Sequence, residues 1–208
     1  MGAPSPVVLH HFTHLRNLEG IVANGLRSDA ACRAEGLTQV EIGAPGIRER
    51  RLRLPVGAGP RGFVGDYVPF YYAPRSPMMF TLGKQNYDFQ QGFDDVVYLT
   101  STLEDIDAAG IGWVASDRNA ALSIASFTDE FSSIGDHVRW DVMRLRYWND
   151  VPGGADLRAA ELLAHDHVPW ELVRRVTART RQAGDRVMVM LDGLAHQPQV
   201  DVRPEWYF

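Results

Sequence analysis

One apolar segment with a single acid, residues 158–163, constrains the fold of this chain more than any other part of the sequence. The segment reads RAAELL, and Glu161 stands among residues that are typical of a buried strand. A carboxylate inside a protein needs a cation or hydrogen-bond donors, because burial otherwise drives it to take up a proton. Two interpretations are open from this segment: Glu161 works inside the core with a partner that the fold supplies, or it is an edge-strand acid that faces water.

The size and composition of the chain indicate one domain with a sizeable core. The 208 residues are 45% hydrophobic and 10% aromatic, as in ordinary globular proteins. No segment approaches the roughly 20 apolar residues of a membrane helix, and the first residues lack the basic and apolar regions of a secretory signal. The single cysteine, Cys32, excludes an internal disulfide and a multi-cysteine zinc site. We therefore expect a cytoplasmic protein with no membrane partner.

Short strands and helices alternate along the chain. Apolar segments predict strands at residues 7–13, 68–73, 96–100, 113–116, 173–180 and 200–202 and around Glu161. Helical spacing and capping residues predict helices at residues 14–24, 45–53, 102–109, 117–122, 142–147 and 182–194, and a polar turn at 83–92. This pattern indicates an α+β fold with a mixed or antiparallel sheet. The sequence has neither the glycine fingerprint of a Rossmann enzyme nor a P-loop, which argues against both classes.

A polar segment rich in glycine, proline and arginine, residues 28–65, is predicted to be a loop with one short helix at 45–53. Five arginines lie between positions 48 and 61 against one acid, Glu49, whereas the whole chain has a net charge of -5. A loop of this length in a compact domain is more often functional than idle, although a solvated insertion has the same composition. Both interpretations stay open, and a local basic patch is possible without the chain being a general polyanion binder.

Four separated positions have side chains that suit a dinucleotide. His11 and Thr13 point the same way near the end of a strand, where ligand contacts are common. An arginine such as Arg51 can hold phosphate with two hydrogen bonds, and the ring of Tyr71 can stack on a flat heterocycle. Glu161 can hold a ribose hydroxyl and stabilise a positive centre, or remove a proton. The spacing of these residues does not by itself establish such a site.

A metal site is not expected, although three histidines lie close together near the start of the chain. His10, His11 and His14 do not have the spacing that puts two ligands on one helical face, and no cysteine or carboxylate is near them in sequence. A metal hydrolase therefore remains only as an alternative, to be tested with a chelator.

Four motifs, in the same order, resemble those of a known family. They are HFTHLRNLEGI at residues 11–21, IRERR at 47–51, DYVPFYYAPRSPMM at 66–79, and RAAELL at 158–163 followed by VPW at 168–170. The chain resembles the DarT family, the DNA ADP-ribosyltransferase toxins of DarT–DarG toxin–antitoxin systems, from about Leu9 to the last residues. The order and number of these motifs make the resemblance specific.

The resemblance implies a fold, a co-substrate and a set of site residues. The expected fold is a single ADP-ribosyltransferase-like domain over residues 1–208, with a split mixed/antiparallel β-sheet, surrounding helices and an NAD cleft. Residues 34–53 would form a loop that covers NAD, and residues 118–161 would contain the loop that presents the substrate. Arg51 and Glu161 would be catalytic, with no metal. The residues that would contact NAD, which is consumed as a co-substrate, are His11, Phe12, Thr13, Gly20, Leu26, Arg51 and Tyr71.

The resemblance also implies an acceptor and a partner. The reaction would transfer ADP-ribose to a base of single-stranded DNA, thymidine in the better-known branch, with release of nicotinamide. A separate macrodomain antitoxin is the expected protein partner of a monomeric toxin. The alternatives are guanosine, RNA or protein as acceptor, or a non-catalytic nucleic-acid-binding module that uses the basic patch. The residues expected to contact DNA are Arg48, Arg50, Arg75, Met78, His165 and His167.

Overall fold

A mixed sheet of eight strands is the centre of the computed structural model, which describes residues 2–43, 45–84 and 93–208. The strands are β1 (Val8–His14), β2 (Leu26–Arg27), β3 (Tyr67–Tyr71), β4 (Val96–Thr102), β5 (Trp113–Asn119), β6 (Phe127–Thr128), β7 (Ala160–His165), β8 (His167–Val168), β9 (Arg175–Ala178) and β10 (Gln199–Val202). The order in the large sheet is β10-β9-β4-β1-β3-β7-β5-β6, and β2 pairs with β8 separately. Only β9 and β10 pair in parallel within this described sheet. The predicted α+β class is confirmed.

The helices are short and lie on both faces of the sheet. They are α1 (Leu18–Asn24), α2 (Asp29–Glu35), α3 (Pro45–Arg51), α4 (Pro77–Gly83), α5 (Leu103–Ala108), α6 (Ile134–His137), α7 (Trp140–Met143), α8 (Gly154–Arg158) and α9 (Arg181–Leu191). Thr102 caps α5 by accepting a hydrogen bond from the Asp105 N–H, as the sequence predicts. None of the described helices has the length and apolar character needed to cross a bilayer.

The two faces of the sheet bury different sets of side chains because neighbouring residues of a strand point in opposite directions. Leu9, Val97 and Leu162 belong to the largest apolar cluster, which α5 and α9 cover. On the opposite face, Phe12 and Tyr98 pack against α4 and the C-terminal segment. Glu161 alternates with Leu162 in β7 and therefore lies on the face of Phe12 and Tyr98.

The sheet splits between β1 and β3. The two strands pair at His10 and Tyr71, and the Nδ1–H group of His11 donates to the Pro69 carbonyl oxygen over 2.9 Å. On their other sides the strands are fully laddered, β1 to β4 over its whole length and β3 to β7 from Tyr67 to Tyr71. The opening between β1 and β3 gives the sheet an internal cleft.

Three predicted elements are wrong. The predicted loop at 28–65 contains α2, which Ser28 caps and Gly36 ends in the left-handed region; no residue of α2 is fully buried, so its sequence has no apolar periodicity. Residues 117–119 continue β5, and the Asp117 side chain accepts from the Ser126 N–H instead of capping a helix. The helix predicted at 142–147 is α7, which ends at Met143. Most of the turn predicted at 83–92 lies outside the described residues.

Candidate active site

A cavity of about 360 Å³ lies where β1 and β3 part, and its volume is in the range of small-molecule sites. Its walls come from both faces of the sheet, together with α1, α4 and the segment between α2 and α3. All eight of the predicted NAD-contacting and catalytic residues line it, although they are far apart in sequence. They are His11, Phe12, Thr13, Gly20, Leu26, Arg51, Tyr71 and Glu161.

Glu161 is a buried acid with a dedicated cation. It is 2% exposed, and β7 lies between β3 and β5, so the edge-strand interpretation is wrong. Nη1 of Arg51 donates to both carboxylate oxygens, over 3.0 and 2.9 Å. The partner that Glu161 needs thus comes from α3, 110 residues earlier in the chain.

Ser116, which nothing in the sequence marks as a site residue, fixes the backbone of Glu161. The register between β5 and β7 shifts between Ala115 and Asn119, so that residues 116–118 lie opposite Glu161 alone. Oγ of Ser116 accepts from the Glu161 N–H over 2.9 Å and donates to the Arg118 carbonyl over 2.7 Å. The hydroxyl therefore replaces the missing ladder bond at Glu161. No sequence signal marks such a bulge, because a serine in a strand is usually exposed.

The guanidinium of Arg51 is charged and has an unused donor. Burial disfavours its charge, but the Glu161 carboxylate outweighs burial and raises the pKa of Arg51. Nη2 of Arg51 is buried and has no hydrogen-bond partner in the described part of the chain. A buried donor without a partner costs free energy. An anionic or polar ligand in the cavity would satisfy it, which fits a pyrophosphate or a ribose.

Aromatic and polar side chains complete the cavity wall. The rings of Phe12 and Tyr71 are stacked, with centroids 5.8 Å apart and an angle of 14° between the planes. Burial, with a contribution from Glu161, raises the pKa of Tyr71, so its hydroxyl stays neutral. Burial lowers the pKa of His11, and its hydrogen bond to Pro69 places the proton on Nδ1. His11 is therefore a neutral side chain whose Nε2 accepts hydrogen bonds.

Asn17 forms hydrogen bonds to the segment that covers the cavity, at Gln39 and Val40. Its Oδ1 accepts from the N–H groups of Gln39 and Val40, over 3.0 and 2.9 Å, and its Nδ2 donates to the Val40 carbonyl and to Thr13 Oγ1. The predicted NAD-covering loop, residues 34–53, is thus the end of α2, a tethered extended stretch and α3. Asn17 belongs to the first of the four motifs, but nothing in the sequence indicates which segment it holds.

The predicted DNA-contacting residues are divided between the cavity and other surfaces. Met78 and Arg48 line the cavity. However, Arg48 is already paired with Asp29 and Glu41, so it ties α3 to α2 instead of presenting a free cation. Arg50 is exposed on α3 and does not line the cavity.

Arg75 and the two predicted DNA-contacting histidines are outside the cavity lining. Arg75 is stacked on Phe208, with its guanidinium carbon 3.9 Å from the ring centroid. His165 packs edge-on against Tyr67, and His167 lies in β8 against Gly25. A side chain at Gly25 would collide with the His167 ring, which explains the glycine there. No cluster of metal-binding side chains occurs in residues 2–43, 45–84 and 93–208.

Comparison with known proteins identifies the family. The family model described as "ssDNA thymidine ADP-ribosyltransferase, DarT" matches residues 10–208. The chain belongs to the DarT family. A DNA ADP-ribosyl transferase of Thermus sp. strain 2.9 is 31% identical over 207 residues, which are 99% of this chain and 98% of that protein.

Solved DarT structures have the same fold. Thermus sp. 2.9 DarT in complex with ADP-ribosylated ssDNA matches with a TM-score of 0.93 at 30% identity, over 100% of this chain and 99% of that one. Thermus sp. 2.9 DarT in complex with NAD+ matches with a TM-score of 0.89 at 28% identity, over 99% and 100% of the two chains. The ADP-ribosyltransferase-like fold expected from the four motifs is confirmed.

Proposed function

We propose that this protein transfers ADP-ribose from NAD to a thymidine base of single-stranded DNA and releases nicotinamide. The observation that carries the proposal is the buried Arg51–Glu161 pair at the wall of the cleft, in a chain of the DarT family. NAD is the co-substrate, and no metal takes part. The base attacked must be unpaired, since its Watson–Crick edge is not accessible in a duplex.

Glu161 acts on both the ribose and the base in this reaction. The bond between the ribose and the nicotinamide nitrogen breaks, and nicotinamide leaves with the electron pair. Positive charge develops on the ribose, and the Glu161 carboxylate stabilises it. The base nitrogen then bonds to the ribose carbon and loses its proton. Glu161 takes this proton, because the raised pKa of Arg51 keeps the guanidinium protonated and unfit to act as a base.

The rest of the cavity binds NAD. The free Nη2 of Arg51 and the Nε2 of His11 hold polar groups of the dinucleotide, while Phe12 and Tyr71 give a flat apolar wall. Thr13, Gly20 and Leu26 line the same cavity. Residues 34–53 cover the bound molecule. The DNA strand enters from the side formed by residues 118–161, from which Asn119 reaches the cavity lining.

The family resemblance supports a cellular role as well. We propose that the chain is a monomeric cytoplasmic toxin, held in check by a separate macrodomain antitoxin. Expression of the toxin in bacteria with and without a macrodomain partner tests this role, and growth arrest relieved by the partner is the expected result.

The reaction is tested by mass spectrometry of short oligonucleotides of defined sequence after incubation with NAD. Addition of one ADP-ribose to a thymidine-containing strand, and release of nicotinamide, are expected for the wild type. Glu161→Ala and Arg51→Ala should each abolish transfer while the protein stays folded. Glu171→Ala and Arg181→Ala, which change an exposed acid and an exposed arginine, are the matched controls.

The alternatives give different results in the same experiment. Modification of guanosine, RNA or protein without modification of thymidine would overturn the proposed acceptor. Binding of DNA without any release of nicotinamide would indicate a non-catalytic binding module. Loss of activity on addition of a chelator would indicate a metal hydrolase.

A further inference from the structure

A second acid lines the cavity and has an unused acceptor. Asp29, the first residue of α2, lies in the cavity lining. Its Oδ1 accepts from Nε of Arg48 over 2.9 Å. Its Oδ2 is buried and accepts no hydrogen bond in the part of the chain that the structure describes, although Nε of Arg33 lies 3.5 Å away. A buried acceptor without a donor costs free energy, so a ligand hydroxyl at this oxygen would be stabilising.

Asp29 repeats, along α3, the arrangement that is found at Glu161. Arg51 pairs with Glu161, and Arg48, three residues earlier in the same helix, pairs with Asp29. Residues three apart are neighbours on the surface of a helix and lie about 4.5 Å apart along its axis. All four residues line the cavity. The cavity thus has two carboxylates, each with its own arginine from α3, which suits a ligand with two separate groups of hydroxyls.

The surroundings of Asp29 suit an adenosine. Cys32 lies three residues after Asp29 in α2, Ile47 precedes Arg48 in α3, and both line the cavity. Their apolar side chains can contact the flat face of an adenine ring. Glu161, by contrast, must lie at the ribose that loses nicotinamide. Because the pyrophosphate of NAD joins two riboses, one dinucleotide can place the reacting ribose at Glu161 and the adenosine ribose at Asp29.

The charges around Asp29 disfavour an additional phosphate. In Rossmann enzymes an acid accepts from the ribose 2′-hydroxyl of NAD, whereas an arginine accommodates the 2′-phosphate of NADP. A phosphate at this position would add about two negative charges beside a carboxylate. The described arginines around Asp29 already have acidic partners: Arg48 pairs with Asp29 and Glu41, Arg33 with Asp29 and Glu49, and Arg27 with Glu35 and Asp166.

We infer that Asp29 makes the protein prefer NAD over NADP, because its Oδ2 accepts a hydrogen bond from a hydroxyl of the adenosine ribose. The carboxylate binds this hydroxyl and repels a 2′-phosphate next to it. Asp29 takes no part in breaking the bond to nicotinamide, so it determines specificity for the co-substrate and is not a catalytic residue. This inference rests on the proposed function, since it concerns the NAD that the proposed reaction consumes.

The first test compares the binding of ADP-ribose and ADP-ribose 2′-phosphate by isothermal titration calorimetry. Both ligands contain the adenosine ribose and lack nicotinamide, so no transfer takes place during the measurement. The wild type should bind ADP-ribose about 30-fold more tightly or better. Asp29→Asn should reduce this ratio about tenfold, since the amide does not repel the phosphate. A purely structural role of Asp29 would weaken both ligands alike and leave the ratio unchanged.

The second test removes the hydroxyls of the ligand one at a time. The ligands are ADP-ribose analogues with a 2′-deoxy or a 3′-deoxy adenosine ribose. The wild type should bind one of them about tenfold more weakly than ADP-ribose, and Asp29→Ala should bind that analogue as well as ADP-ribose. Glu19→Gln is the control, because this exposed acid of α1 stands next to the lining residue Gly20 and is outside the lining. It should keep every wild-type ratio, and thermal unfolding checks the fold of each variant.

The outcomes separate this inference from the proposed function. If the wild type binds neither NAD nor ADP-ribose, the co-substrate of the proposed function is wrong and this inference fails with it. If the wild type binds ADP-ribose but tolerates the 2′-phosphate and the loss of either hydroxyl, the inference alone is wrong, whatever the variants do. It is also wrong if the Asp29 variants keep the wild-type ratios. The proposed function does not depend on these ratios, because transfer to oligonucleotides tests it separately.

Discussion

Replacing Arg51 with methionine removes the cation that the structure gives to Glu161. The pair is buried, with side chains 14% and 2% exposed, and both carboxylate oxygens accept from the guanidinium. Removing one partner of a buried ion pair costs about 3–5 kcal/mol, because the remaining charge is left without compensation. The pair borders the cavity, so removal of the guanidinium lets water from the cavity reach the carboxylate. We therefore expect Arg51→Met to lower the free energy of unfolding by about 3 kcal/mol.

A double-mutant cycle measures this interaction. The double variant Arg51→Met/Glu161→Gln should recover about 2 kcal/mol of the loss, since no buried charge remains. Urea denaturation at one fixed pH gives the free energy of unfolding of the four proteins. Arg48→Met is the matched control on the same helix: the side chains of its partners Asp29 and Glu41 are 21% and 51% exposed, so water can solvate the carboxylates that lose the arginine, and the expected loss is about 1 kcal/mol. A loss below about 1 kcal/mol for Arg51→Met, or no recovery in the double variant, would refute the reasoning.

Three further predictions follow from the site and its surroundings. Ser116→Ala should lower the free energy of unfolding by about 1–3 kcal/mol, because the buried Glu161 N–H loses its acceptor, and should lower kcat more than it raises KM for NAD; steady-state kinetics with an unchanged kcat would contradict it. Asn17→Ala should raise KM for NAD about tenfold by releasing Gln39 and Val40, a change of about 1.4 kcal/mol, while Asn24→Ala at an exposed site of α1 should not. Burial, with smaller contributions from Arg158 and Arg175, lowers the pKa of His10 to about 3. Between that value and the ordinary pKa of about 6.5, the unfolded chain binds a proton that the folded chain does not, so stability falls as pH decreases, by up to about 1.4 kcal/mol per unit. His10→Phe should flatten that slope in urea titrations between pH 7.5 and 5; an unchanged slope would show that His10 is not its source.

The sequence predicts elements well where most side chains of a strand or one face of a helix are buried. The strands around His11, Phe70 and Leu99 bury most of their side chains, on both faces of the sheet, and each is found where its apolar run predicts it. It fails at α2, where no side chain is fully buried, and at residues 117–119, where a bulged strand has the polar composition of a helix start. Periodicity reports burial, so elements with little burial give no periodic signal.

Only part of the candidate site could be predicted from the sequence, and the reason differs from that for the fold. A lone acid in an apolar run indicates that Glu161 has a partner, but only the resemblance of the four motifs selected Arg51 among many arginines. The positioning groups were missed: Ser116 and Asn17 bind the backbone of segments 22 or more residues away in sequence. Such contacts depend on how the strands and the segment over the cavity are placed in three dimensions. The residue types alone do not predict this placement.

The shift in register opposite Glu161 also has a consequence for how members of this family diverge. Because the Ser116 hydroxyl replaces the ladder bond from β5 to the Glu161 N–H, residues 116–118 do not need to keep a regular ladder with β7. Residues beyond this bulge belong to the segment that we propose meets the acceptor, and we expect that they can change without moving the Glu161 carboxylate. Under the proposed function, acceptor recognition can therefore vary while the Arg51–Glu161 pair stays in place.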